Sequence, residues 1–128
     1  MKMLRLLLGL SGAALAAPAA AAQEDPDSLT AATEQLGSGV ALARRQAAAS
    51  DLTGALGTLE RVLLAHPEAV APRLLYASLL CRLDDRRGAE LELGLLGGKP
   101  IADSDWTGVA AACGPVQRPA PPKRGKQR

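Results

Sequence analysis

The chain has 128 residues, enough for one small domain, and 48% of them are apolar, but much of that share is alanine and aromatics are only 2%. So few aromatic and β-branched side chains exclude a β-sandwich and point to closely packed helices with a core of Leu, Val and Ala. The net charge of +2 is too small to imply a nucleic-acid partner. It is unevenly spread, however: residues 23–37 hold Glu24, Asp25, Asp27 and Glu34 and no base, whereas 115–128 hold Arg118, Lys123, Arg124, Lys126 and Arg128 and no acid.

The first 22 residues read as a secretory signal. Lys2 and Arg5 precede an apolar run from Leu6 to Leu15, and Ala20-Ala21-Ala22 offers a small-residue cleavage site before Gln23. The run is shorter than the roughly 20 residues that span a bilayer, which argues against an anchor. A mature chain starting near Gln23 is expected to be periplasmic or secreted; the Ala/Arg-rich, lysine-poor usage favours a bacterial periplasm.

Residues 23–37 read as a polar leader with one short helix, Leu29 to about Leu36, capped by Ser28. Gly37 and Gly39 weaken a continuation, so Ser38 is the expected cap of a second helix, Gly39 to Ala49. Ser50-Asp51 is a turn. Leu52 to Ala65 carries the apolar stripe Ala55, Leu56, Leu59, Val62, Leu63 and ends at His66-Pro67, because a residue before proline is pushed out of the α region. Pro72 suits the first turn of a helix running to about Leu83, apolar all round and therefore buried on several sides. Asp84-Asp85 is a second turn. Arg87 to Leu96 forms the next helix and stops at Gly97-Gly98. A last helix, Asp105 to Cys113, follows a cap at Asp103 or Ser104 and ends at Gly114-Pro115. From Val116 onward proline and basic residues dominate, and disorder is expected over 115–128.

These elements repeat. Ala55-x3-Leu59 returns as Ala89-x3-Leu93, and Leu42-Ala43 returns at the same offset as Tyr76-Ala77. The longer phrases are Gly39-x2-Leu42-Ala43-x2-Gln46, Ala55-x3-Leu59, Pro67, and then Arg73-x2-Tyr76-Ala77-x2-Leu80, Ala89-x3-Leu93, Pro100. Pro100 falls one position short of a full period after Pro67, and the shortened frame carries forward to Trp106-x2-Val109-Ala110-x2-Cys113. A period of about 34 residues marks stacked helical hairpins, and the pattern resembles the tetratricopeptide repeat (TPR). The resemblance covers residues 38–114 and implies an all-α, right-handed stack of about two and a half TPR-like repeats. In that frame the alanines Ala43, Ala77, Ala110, Ala55 and Ala89 sit where helices approach most closely. Gly39 and Arg73 stand where the family has tryptophan, and Gln46 where it has an aromatic residue, which makes the first repeat the looser one.

The same frame places Cys81 and Cys113 at similar heights on neighbouring helices. Pairing in an oxidising compartment would tie the last helix to the central one. The alternative is two small buried apolar residues. With His66 the cysteines make only three soft ligands without metal-site spacing, so neither metal nor cofactor is expected.

No nucleophile–base set, carboxylate pair in a pocket or phosphate loop is legible, and Asp84-Asp85 has a structural use as a turn. Arg44-Arg45 and Arg86-Arg87 read as solvated surface. The resemblance implies a protein- or peptide-binding groove lined by Val40, Ala41, Arg44 and Ala48 of one helix and Leu74, Leu75, Ser78 and Arg82 of the next. Leu74 and Leu75 read as larger than the stack needs, and Arg44 and Arg82 as partners for a carboxylate. The Lys/Asn set of the carboxylate-clamp subfamily is absent. The expected function is a non-catalytic periplasmic scaffold or adaptor. The alternative is an accessory subunit of an export or outer-membrane assembly complex, with the basic tail making peripheral membrane contact.

Overall fold

The computed structural model describes residues 25–125. The signal-like segment lies outside them. Six helices follow one another: α1 (Pro26–Glu34), α2 (Leu36–Ala48), α3 (Leu52–Ala65), α4 (Val70–Arg82), α5 (Arg86–Gly94) and α6 (Asp103–Cys113). No strand occurs among the described residues. The α2–α3 and α4–α5 pairs are antiparallel hairpins, α4 packs on α3 and α6, and α1 rests on α2 and α3. The expected all-α stack of hairpins is thus formed.

The two hairpin turns are built alike, because the same local chemistry recurs in the sequence. Ser50 and Asp84 both adopt left-handed backbone, with φ of 65° and 62°. The amide of the next residue reaches back to close the helix: Asp51 N–H donates to the Gln46 carbonyl and Asp85 N–H to the Leu80 carbonyl, each at 2.9 Å. Asp51 then caps α3 by accepting from Gly54 N–H, and Asp85 caps α5 by accepting from Gly88 N–H, both at 2.8 Å. A Cβ at Gly54 or Gly88 would collide with the capping carboxylate. Asp-x-x-Gly therefore supplies both the cap and the room for it.

Packing divides into two clusters with α4 between them. Ala43, Ala47, Ala55, Leu59 and Leu79 form one. Leu74, Ala77, Ala89, Leu93, Leu96, Val109 and Cys113 form the other, with Cys81, Trp106 and Val116 packed against it. Ala43, Ala55, Ala77 and Ala89 are fully buried, as close approach within each hairpin requires. Ala110 is exposed instead. Among the described residues no helix follows α6, so the close contact expected there has no partner.

The N-terminal elements differ from expectation. Asp25, not Ser28, caps α1, and its carboxylate accepts from Ser28 N–H at 3.4 Å. α2 begins at Leu36 and runs through Gly37, Ser38 and Gly39, so Ser38 is not a cap. The break falls at Gln35, whose extended backbone (φ −100°, ψ 122°) turns the chain between α1 and α2. Gly39 is buried, and a Cβ there would fall inside the Val62 side chain and within 3.3 Å of Thr33 Cα. The residue that reads as a weak point is what lets α1, α2 and α3 meet. Gln46, also expected to loosen this repeat, accepts from the buried Thr58 hydroxyl at 2.7 Å. At the next repeat Arg73 pairs with Glu92 at 2.5 Å and donates to the Pro67 carbonyl at 2.9 Å.

The C-terminal segment, where disorder was expected, is described as far as residue 125. Gly114, with φ of 68°, turns the chain, and it runs back as an extended strap. Arg118 pairs with Asp103 at 2.7 Å, donates to the Ile101 carbonyl at 2.8 Å and lies 5.8 Å over the Trp106 ring. Gly98 N–H donates to the Ala120 carbonyl at 3.0 Å. Arg86, expected in solvent, donates to the Cys113 carbonyl at 3.2 Å and to the Pro115 carbonyl. The strap lacks apolar bulk, but Arg118 and Arg86 supply polar anchors that composition does not reveal.

Candidate functional site

The sequence-derived groove residues arrive on two helices, α2 and α4, and the structure adds a third wall. A cavity of about 150 Å³ is lined by Arg44 of α2, by Ala71, Leu74, Leu75 and Ser78 of α4, and by Ser104, Asp105 and Gly108 of α6. Arg44, Leu74, Leu75 and Ser78 are therefore brought together. Val40 and Arg82 do not line this cavity: Val40 is half-buried on α2, and Arg82 is exposed at the end of α4. Ala41 and Ala48 are exposed.

The floor is less available than the sequence suggests. Leu74 is only 3% exposed and belongs to the core shared with α5 and α6, so the stack does need it. Leu75 is half-buried and remains the larger apolar surface within reach of a ligand. The Ser78 hydroxyl donates to the Leu74 carbonyl at 2.9 Å, as helix serines do when no better acceptor is near.

The walls carry opposite charge. Arg44 is exposed on α2, and Asp105 is exposed in the first turn of α6, where a carboxylate is favoured by the helix dipole. Among the described ion pairs none joins them. A cation, a leucine floor and an anion in one recess can hold an apolar side chain flanked by polar backbone or by charges of both signs. Ser104, Asp105 and Gly108 were missed by the sequence reading. The repeat frame contains two of them, since Ser104 and Gly108 occupy the positions of Ala71 and Leu75 one shortened period on. Arg44 likewise occupies the position that Ser78 takes in the next repeat.

What holds the third wall is the disulfide between Cys81 of α4 and Cys113 of α6, with Cα atoms 5.0 Å apart. The pairing expected from the repeat frame is present. It fastens the C-terminal end of α6, and the Arg118 contacts to Asp103 and Ile101 fasten its N-terminal end.

Among the described residues two titrating groups are displaced from their ordinary range, both outside the groove. Burial, and then a 2.8 Å hydrogen bond donated to Glu60, push the Tyr76 phenol up to about 12. The hydrogen bond from Lys99, and then its charge, hold the exposed Glu68 carboxyl below the usual range. His66 Nε2 lies 3.0 Å from the Glu34 carbonyl, to which it must donate, linking the end of α3 to the end of α1.

No protein-family model, curated protein or solved structure matches the chain. The class defined by fold and site is therefore a stack of helical hairpins with a small three-walled groove.

Proposed function

We propose that the protein is a non-catalytic exported scaffold or adaptor that holds a peptide segment of a partner protein in the groove between α2, α4 and α6. The observation carrying this reading is that Leu75, Arg44 and Asp105 line one recess. A peptide presenting one aliphatic side chain with a carboxylate on one flank and a base on the other matches it. The TPR-like repetition supports the same reading. Work outside the cytoplasm is supported by the signal-like N-terminus and by a disulfide, a bond that persists in oxidising compartments.

Panning a displayed peptide library against the mature chain tests this. The expected binders carry an aliphatic residue between opposite charges, and both Leu75→Asp and Arg44→Glu weaken them at least about tenfold, as loss of a buried contact or of a charge pair does. Selected peptides that bind both variants as well as the parent would refute the groove as the site. The second reading, an accessory subunit of an export or outer-membrane assembly complex, draws on the exposed Lys123 and Arg124 of the tail.

A further inference from the structure

We propose that the edge formed by α5 and α6 is a second peptide site, fitted to an extended segment that carries an arginine, and that the chain's own residues Val116 to Ala120 are its resident occupant. The inference is independent of what the groove holds. It starts from the repeat frame. Each complete hairpin opens its second helix with Asp-x-x-Gly-Ala: Asp51, Gly54 and Ala55 before and in α3, Asp85, Gly88 and Ala89 before and in α5. In both, the Gly N–H donates to the Asp carboxylate and the Ala N–H to the Asp carbonyl. One shortened period on, these positions hold Arg118, Pro121 and Pro122. The capping carboxylate is gone, and proline has no N–H for either bond. The segment that the frame pairs with α6 cannot open a helix in this way, and the edge is left to an extended chain.

The strap takes the course that such a helix would follow. Arg86, at the start of α5, donates to the Cys113 and Pro115 carbonyls, and Gly98, beyond the end of α5, donates to the Ala120 carbonyl. The strap therefore runs beside α5 from its start to its end. It leaves the end of α6 and reaches back to Asp103 at its start. Five extended residues span about 16 Å, and α6, with its 11 residues, is about as long. Two side chains give the contact its chemistry. Arg118 pairs with the Asp103 carboxylate at 2.7 Å, donates to the Ile101 carbonyl at 2.8 Å and lies 5.8 Å over the Trp106 ring. A carboxylate, a carbonyl and an aromatic face together make a seat for a planar guanidinium, which lysine would fill poorly. Val116, two residues earlier, packs against the core cluster beneath, as residues two apart on an extended chain share a face.

The occupant is loosely held. A recess of about 250 Å³ remains between Pro119 and Ala120 on the strap and Leu93, Gly94 and Gly97 beneath. Val116 is the largest apolar side chain of the strap and is only half-buried, whereas α3 and α5 each bury an Ala-x3-Leu pair completely or nearly so. A segment with so few buried contacts opens readily. Its attachment to the chain is what favours it, since a short tether holds it at an effective concentration of millimolar order. When the strap gives way, the edge accepts the same chemistry from a partner protein: an extended segment with an aliphatic residue two places before an arginine.

The test uses the chain from Gln23 to Arg128 and a fluorescein-labelled peptide of residues 115–122, with binding read by anisotropy. The parent should bind weakly, because its strap is in place. Arg118→Ala empties the seat, and that chain should bind the peptide at least about tenfold more tightly. Asp103→Asn also frees the strap but removes the seat, so its binding should stay as weak as the parent's. A peptide carrying Arg118→Ala should bind the opened chain at least about tenfold less tightly than the unsubstituted peptide. Arg118 and Asp103 are exposed and belong to neither core cluster, so the helices and the disulfide remain. Trp106 emission should shift in both variants, and the peptide should reverse the shift only in Arg118→Ala. Equal binding by the parent and the Arg118→Ala chain overturns the proposal, and so does binding by Asp103→Asn as tight as by Arg118→Ala. Loss of binding when Arg44→Glu is added to Arg118→Ala places the peptide in the groove and overturns it as well. Elution of the parent as a dimer that Arg118→Ala converts to monomer overturns occupancy within one chain, in favour of strap exchange between two copies.

Discussion

Opening the Cys81–Cys113 bond should loosen α6 and, with it, one wall of the groove. The bond links residues 32 apart in sequence. Closing a loop of that length removes chain entropy from the unfolded state worth about 4 kcal/mol. The described domain is near 100 residues, and such domains are stable by about 5–15 kcal/mol, so the cross-link is a large share. The loss should be local first. α6 has 11 residues and no side-chain cap at its start, whereas isolated helices shorter than about 12–15 residues are marginal in water. Its remaining anchors are Val109 and Trp106 in the core, Arg86 on the Cys113 carbonyl and Arg118 on Asp103. Trp106 is the single tryptophan of the chain, so its emission reports on α6 alone. Urea unfolding should be followed by far-ultraviolet dichroism and by Trp106 fluorescence, on oxidised protein and on protein held reduced. Using the reduced parent avoids the lost volume of a Cys→Ala change. With slopes of about 1–3 kcal/mol per molar urea, the midpoint should fall by roughly 1–4 M, with the fluorescence transition preceding the helical one. A reduced protein within about 1 kcal/mol of the oxidised one, its two transitions still coincident, would refute the reasoning.

Other substitutions separate the remaining claims. Gly39→Ala should destabilise by about 1–3 kcal/mol through the clash with Val62, while Gly37→Ala, whose Cβ meets nothing within 4 Å, should stabilise by up to about 1 kcal/mol; equal effects in thermal melts would remove the close-approach argument. Asp51→Ala and Asp85→Ala should each cost about 0.5–2 kcal/mol in chemical denaturation, and by similar amounts because the two caps have the same geometry; a neutral result at either would contradict the repeated turn. Tyr76 is the only tyrosine, so absorbance titration reads it directly, with an expected midpoint of about 12. A phenol raised in the folded state favours folding fully below its unfolded value near 10, and that contribution fades as pH rises from 10 towards 12. Glu60→Gln should bring the midpoint down only partly, since burial is the larger cause; a parent midpoint near 10 would contradict the burial of the ring.

Much of the stack is legible in the sequence because it is set by short-range chemistry. Ala55-x3-Leu59 and Ala89-x3-Leu93 each report one helix face, and Ser50-Asp51 and Asp84-Asp85 each report one turn. All these signals act within a few residues, so they survive without knowledge of neighbours. The shift of frame that puts Trp106 and Cys113 in register also belongs to the sequence, and it led to the disulfide. Half of the groove follows too, since Arg44, Leu74, Leu75 and Ser78 lie where the repeat frame puts its lining.

The remainder depends on which surfaces meet. Gly39 scores as a helix breaker, and only the approach of α1 and Val62 turns its missing side chain into an advantage. Ala110 fits the repeat, yet it is exposed because no helix follows α6 among the described residues. Arg86 and Arg118 read as surface charge, and the strap exists because each finds backbone carbonyls far away along the chain. Asp105 becomes a groove residue, sharing a recess with Arg44, only when α6 lies on α4. The sequence by itself determined the hairpins and their period, because capping and helical spacing are local interactions. Tertiary structure alone decided the docking of α1, the strap and the third wall of the groove, because those rest on contacts between segments that the sequence keeps well apart.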